Sequence, residues 1–390
     1  MKITSATALT AATTLVLQIT ALIGLEPRDF GLFSIVYLLF AFSNSLSQSL
    51  ISDAWTRNEA QGNTPSGWIP YASVSTYFSV IAGAVALTVS LLVPGLASVA
   101  LAAAIAVAAG TYRGTARFFS LRERDWKHIL PGDVAGLVGL VTVFAAAAAL
   151  NQINIFSVFH AWALSSALSS GLSRPATIQS PRILKDWFRE HGTSMRPLIR
   201  DSLLMDAGAI WAPYLLIPIL GVSNFGIYRA VSNVAAPVRL VITPLRPTIA
   251  TISLKMHSAP RLVVPLLSLS AFAGVGAWAA IELISANDLQ LGTLSSLASY
   301  AIAVGIFVSA NLLGHFYSIV ARNHLTSRLL FSGRLVQASF SFLAPLLAAF
   351  AWGLTGAIWA LAIGALLSSL TWLAIITTRP NPRTTSPVLE

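Results

Sequence analysis

Between Phe225 and Pro247 the sequence reads FGIYRAVSNVAAPVRLVITPLRP. At about 100° per residue, a helix here gathers Arg229, Ser232, Asn233, Ala236, Arg239, Thr243 and Arg246 in one sector. Ile227, Val231, Val234, Val238, Val241 and Leu245 take the opposite one. Guanidinium groups recognise phosphate through paired, charge-assisted hydrogen bonds, so a wall of three arginines offers successive resting places for an anion. For Arg229 and Arg246 the competing reading is snorkelling to opposite interfaces; Arg239, deeper in the span, is harder to explain that way. An echo lies 195 positions earlier, Phe30 to Leu50, FGLFSIVYLLFAFSNSLSQSL. There Ser34, Tyr37, Ala41, Asn44 and Gln48 hold the equivalent sector. A merely polar helix matched to a positively charged one predicts a cavity between two homologous halves, open to an anionic group.

Other ionisable groups at membrane depth ask for partners, because each costs roughly 2.5–3.5 kcal/mol at the bilayer centre. Asp206 is expected near mid-depth, where it pairs with Arg239, titrates and binds a coupling cation, or simply adds polarity to the cavity. Pro213, seven residues on, favours a bend there. Arg113 and Arg117 form an i, i+4 pair near the inner end of a span, and 198 positions on stand Asn311 and His315. Arg113, Arg117 and His315 make a candidate inner mouth, in competition with snorkelling toward anionic lipid. Asp133, just after Pro131-Gly132, reads as a helix cap. Catalytic constellations are missing: there is no phosphate-cradling Gly-rich loop and no His/Asp cluster at metal spacing. The sequence therefore reads as a non-enzyme needing no cofactor, with Na+ or H+ as the candidate coupling ion.

These residues are set in an apolar frame. Of 390 residues, 55% are hydrophobic and only 10% charged, against about 25% in soluble domains. Apolar runs near 20 residues match a hydrocarbon core of about 30 Å, so the chain reads as a polytopic all-α membrane protein. Twelve spans are expected, at roughly 4–24, 30–52, 70–93, 95–119, 130–150, 153–172, 198–220, 224–248, 261–286, 291–320, 329–350 and 353–377. With both termini in the cytoplasm, 22 of the 24 basic residues fall at or near inner ends, leaving only Arg28 and Arg229 elsewhere. The positive-inside rule thus accounts for the net charge of +10 without nucleic acid. The absence of cysteine excludes disulfides and thiolate metal sites.

Internal repetition organises the spans. Phe118-Phe119-Ser120-Leu121 recurs as Phe316-Tyr317-Ser318-Ile319 at an offset of 198, and Leu168-Ser169-Ser170 recurs as Leu367-Ser368-Ser369 at 199. Six spans per half make a parallel repeat with its pseudo-two-fold axis along the membrane normal. The expected organisation is an N-terminal bundle, 1–172, a cytoplasmic linker, 173–197, a C-terminal bundle, 198–377, and a tail, 378–390. In the linker, RILKDWFRE sets Ile183, Leu184, Trp187 and Phe188 against charged neighbours, the pattern of an interfacial amphipathic helix.

Six-plus-six spans, the Phe-Gly openings at Phe30 and Phe225, and the Arg-bearing segments after the fourth and tenth spans resemble a known family. It is the polysaccharide-exporting branch of the MOP exporter superfamily, the O-antigen or lipid-linked oligosaccharide flippases, whose relatives include the lipid II flippases and MATE drug exporters. The resemblance implies two six-helix bundles around a cationic central cavity. It also implies alternating-access flipping of an undecaprenyl-diphosphate-linked oligosaccharide or polysaccharide precursor across the cytoplasmic membrane. Partners would be the lipid-linked anionic glycan, membrane lipids and glycan-assembly enzymes. The substrate-binding candidates are Arg229, Arg239, Asn233, Arg246, Asn44 and Gln48, with Asp206 for ion coupling or a cavity ion pair. Alternatives are a MATE-like drug or cation antiporter, for which the first half lacks embedded carboxylates beyond Asp53 and Asp133, and a membrane-embedded glycan polymerase or glycosyltransferase, disfavoured by short external loops.

Overall fold

Long apolar runs with few charges can satisfy their backbone groups in lipid only as helices or closed barrels, and here they form helices. The structure, a computed structural model, describes residues 2–60, 66–238 and 252–378, with Ile242, Leu245 and Ile249. Among them, nine helices are long and apolar enough to cross a bilayer. Two of these are each a pair of helices joined across a kink, at Gly221 (φ 74°) and at Trp352-Gly353 (φ 60° at the glycine). Ile155–Gly171 adds a shorter helix of 17 residues. Every span expected from the sequence has a helix under it, the eighth as far as Val238.

By its internal contacts the chain falls into two compact units, Met1–Asn233 with Gln290–Ser296, and Val234–Leu289 with Leu297–Glu390. The first unit begins with α1 (Lys2–Gly24) and α2 (Pro27–Ser47), which passes through a π-turn at Gln48–Ser52 into α3 (Asp53–Ala60). Then come α4 (Trp68–Leu92), α5 (Ala100–Arg122), α6 (Leu130–Ala149) and α7 (Ile155–Gly171). α8 (Arg182–Asp206) carries the amphipathic segment and runs on through Pro197, then through a π-turn at Ala207–Trp211 into α9 (Ala212–Val234), so no break separates it from the seventh span. Trp187 is its anchor: the ring is 2% exposed, donates to Leu50 O at 3.2 Å and stacks on His191, whereas Phe188 stays exposed. The second unit holds α10 (Leu254–His257), α11 (Pro260–Ala286), α13 (Ala301–His324), α14 (Ser327–Ala338), a π-turn at Ser339–Leu343 and α15 (Ala344–Thr377). Short α12 (Gly292–Ser295) belongs to the first unit, where Thr293 N and Oγ1 both donate to Leu25 O, at 2.8 and 2.7 Å.

The bend expected at Pro213 takes a definite form. A proline cannot donate to the carbonyl four residues back, and the π-turn at Ala207–Trp211 absorbs the mismatch two residues ahead of it. The same device recurs in the second unit, where Pro345 follows Ser339–Leu343.

The duplicated Phe-Gly pair has a packing reason within the first unit. Phe30 and Phe225 are both fully buried. A Cβ on Gly226 would strike Pro27 O, and one on Gly31 would strike Val222 O. Two helices cross there backbone to backbone, which only a residue without a side chain permits.

At the Arg-rich end of this unit, Trp55, Tyr71, Phe119 and Trp187 form a buried aromatic cluster, and Arg174 lies 5.4 Å from the Trp68 ring and 5.1 Å from that of Phe119. Arg174 Nη2 is also 2.7 Å from Asp125 Oδ2, which His128 Nδ1 meets at 2.8 Å. Burial works against ionising Asp125, but the hydrogen bonds and charges of His128 and Arg174 outweigh it and hold the carboxyl below its usual range. Its stabilising contribution is therefore complete above the ordinary carboxylate pKa of about 4 and is lost as pH falls through the lower folded value. Thermal unfolding of Asp125→Asn in detergent should show a shallower loss of stability than the parent below about pH 4; parallel curves would contradict this.

Candidate functional site

The arginine pair of α5 is where charge and space meet. A cavity of about 470 Å³ lies inside the first unit, walled by α1, α2, α5, α6 and α7. α1 contributes Thr10, Thr13 and Thr14, α2 contributes Tyr37 and Asn44, and the π-turn that continues it contributes Gln48. Trp162, Ser165, Ser166 and Ser169 come from α7, and the charged lining residues are Arg113, Arg117 and Asp133. The helical period explains the α2 set, since Tyr37, Ala41, Asn44 and Gln48 advance by four, three and four residues along one face. An aromatic ladder on α2 (Phe30, Phe33, Tyr37, Phe40) locks against Phe159 and Trp162, holding that face in place.

Arg113 is a clamp. Its Nη1 donates to Ser173 Oγ at 2.6 Å and His128 O at 3.1 Å; its Nη2 donates to Asp133 Oδ1 at 2.7 Å and Ile129 O at 2.8 Å. Gly132 makes room for it, because a Cβ there would stand 2.9 Å from the guanidinium carbon. Arg117 is held less tightly: Nε lies 3.2 Å from Asp133 Oδ2 and 3.3 Å from Oδ1, and its buried Nη2 has no hydrogen-bond partner. The side chains of Arg113, Arg117 and Asp133 are 9%, 15% and 3% exposed. Two guanidiniums thus share one carboxylate, leaving a surplus positive charge at the cavity wall. Buried charges are tolerable only when paired and hydrogen-bonded, which is what Asp133 supplies.

Asp133 does not cap its helix: it lies in the first turn of α6 with no capping hydrogen bond, and both of its oxygens face arginine. The competing pull of two cations overrides the local cap preference. Arg113, 7% exposed as a whole residue, is turned inward rather than snorkelling. Asn44, Gln48, Arg113 and Arg117, expected in two separate places, line one cavity in one unit. His315 lies half-buried on α13 of the second unit.

Arg229 and Asn233 stand on α9 of the first unit, 8% and 7% exposed, and do not line this cavity. The charge of Arg229 reaches the phenols of Tyr214 and Tyr228, the former donating to Ile35 O at 2.7 Å. Asp206 is half-buried near Ser45, whose hydroxyl stands 2.7 Å from that of Ser202. Arg239 and Arg246, and the tail beyond Thr378, lie outside the described residues. Sequence reasoning missed the α1 threonines, Trp162 and the α7 serines. The i, i+3, i+4 spacing of Thr10, Thr13 and Thr14 was the available signal.

No family model and no curated protein sequence matches the chain. Solved structures do. An inward-facing multidrug resistance MATE family transporter of the MOP superfamily superposes with a TM-score of 0.62 at 14% identity, covering 94% of this chain and 93% of that one. The lipid II flippase MurJ in an inward closed conformation gives 0.60 at 11%, over 96% and 86%. The eukaryotic MATE transporter AtDTX14 gives 0.52 at 13%, over 97% and 95%. The likeness extends over almost the whole chain and is one of fold: this is an all-helical, multi-pass membrane protein with the architecture shared by MATE transporters and MurJ.

Proposed function

We propose that this protein is an alternating-access transporter that flips a lipid-linked anionic glycan, of the undecaprenyl-diphosphate-oligosaccharide class, across the cytoplasmic membrane with both termini inside. The observation that carries this reading is the charge balance of the cavity, two arginines against one aspartate that both of them engage. A cation exporter needs a carboxylate ready to meet its substrate; here Asp133 is already shared, and the surplus charge favours a phosphate. The fold likeness to a flippase supports the same reading, and Arg239 and Arg246 on the eighth span are proposed as further anion contacts along the path.

The test is flipping of a fluorescent polyprenyl-diphosphate glycan in proteoliposomes. Arg117→Gln should slow it at least tenfold while Arg113 and Asp133 keep their ion pair and the fold. Undiminished flipping by this variant, or transport of organic cations with none of the lipid-linked glycan, would overturn the reading in favour of a MATE-like exporter.

A further inference from the structure

The cavity has a polarity that an anion alone leaves half-used. On α1, Thr10 Oγ1 donates to Ala6 O at 3.2 Å, Thr13 Oγ1 to Leu9 O at 3.0 Å and Thr14 Oγ1 to Thr10 O at 3.1 Å. A hydroxyl has one proton to give, and each of these has given it to its own helix. What the three side chains offer a ligand is lone pairs. Ser165 on α7 is in the same position, donating to Gly136 O at 2.7 Å. The α5 side is the reverse. Guanidinium nitrogens only donate, and Arg117 Nη2 is a buried donor without an acceptor. One wall therefore asks for hydrogen-bond donors and the other for an anionic acceptor.

A phosphodiester is all acceptor and fits only the Arg117 side; an uncharged sugar carries hydroxyl donors for the threonines but no negative charge for the guanidinium. A glycosyl phosphate satisfies both. The volume, about 470 Å³, falls within the roughly 300–1,000 Å³ of small-molecule sites. We propose that the cavity of the first unit is a glycosyl-phosphate pocket, with Arg117 receiving the phosphate and Thr10, Thr13 and Thr14 accepting from the sugar hydroxyls. Arg113 is a positioning residue, since four hydrogen bonds already engage its terminal nitrogens. The inference rests on the flippase reading and deepens it: the phosphorylated sugar next to the lipid is what enters this pocket.

The full-length protein in nanodiscs is titrated calorimetrically with α-D-glucose 1-phosphate, inorganic phosphate, glucose and the zwitterion γ-aminobutyrate. Glucose 1-phosphate should bind at least tenfold more tightly than phosphate, and glucose and γ-aminobutyrate should give no heat. Arg117→Gln should abolish binding of both phosphorylated ligands without lowering the melting temperature. Thr13→Val with Thr14→Val should bring glucose 1-phosphate down to the affinity of phosphate and leave phosphate unchanged. Equal affinities for phosphate and glucose 1-phosphate in the parent protein, binding of γ-aminobutyrate at least as tight, or a threonine double variant that keeps the preference would each overturn the pocket. A protein that flips the lipid-linked glycan yet shows any of those outcomes loses the pocket and keeps the flippase reading; one that binds glucose 1-phosphate as described but flips nothing loses the transport assignment alone.

Discussion

Asp133→Ala is expected to be among the most damaging single substitutions in the first unit, costing on the order of 3–5 kcal/mol. The carboxylate is the shared counter-ion of two arginines whose side chains are 9% and 15% exposed. Without it Arg113 keeps its carbonyl and hydroxyl acceptors from His128, Ile129 and Ser173. Arg117 loses the group that engages its Nε, at 3.2 and 3.3 Å. Removing one partner of a buried pair leaves a desolvated charge, which is worse than removing the pair altogether. The check follows from that asymmetry. In detergent, Asp133→Ala should unfold at a much lower temperature than the parent, and adding Arg117→Leu to it should recover part of the loss. A single variant as stable as the parent, or a double variant less stable than the single, would show that the ion pairs do not hold α5 to α6.

Gly226→Val should be comparably severe for a different reason. Overpacking a well-filled core costs about 1–3 kcal/mol, and more where the obstacle cannot turn away. The obstacle here is backbone: the carbonyl of Pro27, with the Gly31 amide nitrogen 3.0 Å from the would-be Cβ. Neither can move to another rotamer, so α2 and α9 must separate, and the buried Phe30 and Phe225 beside them lose their packing. The expected result is a sharp fall in the monodisperse fraction by size-exclusion chromatography after detergent extraction. Gly276→Val, on α11 where nothing lies within 4 Å of the added carbon, should behave like the parent. Equal recovery of both variants would mean that the close crossing is dispensable.

How far these features could be read in advance depended on whether the cause was local. The helices were legible because each apolar run carries its own reason for being helical in lipid. The breaks at 221–223 and 351–352 were legible as gaps between expected spans, and Pro213 as a bend, because glycine and proline act on their own backbone. The Phe-Gly echo was visible as a repeat, but its use as a backbone crossing depends on which helix arrives opposite, and that is not written at either site. Asp133 shows the limit most directly. Next to Pro131-Gly132 it has the local marks of a helix cap, yet its oxygens go to Arg113 and Arg117, 20 and 16 positions earlier.

From the sequence alone came the all-helical membrane class, the places where the chain turns, and the excess of guanidinium over carboxylate, since all three follow from residue type and from periods of a few positions. Which charges meet was decided by the tertiary structure. Asn44, Gln48, Arg113 and Arg117 look like parts of two sites when helices are read one at a time, and become walls of one cavity once α2 and α5 lie side by side with α6 closing on them. Coulomb attraction in a low-dielectric interior is strong at 3 Å and indifferent to distance along the chain. A carboxylate therefore belongs to whichever cations the packing brings to it.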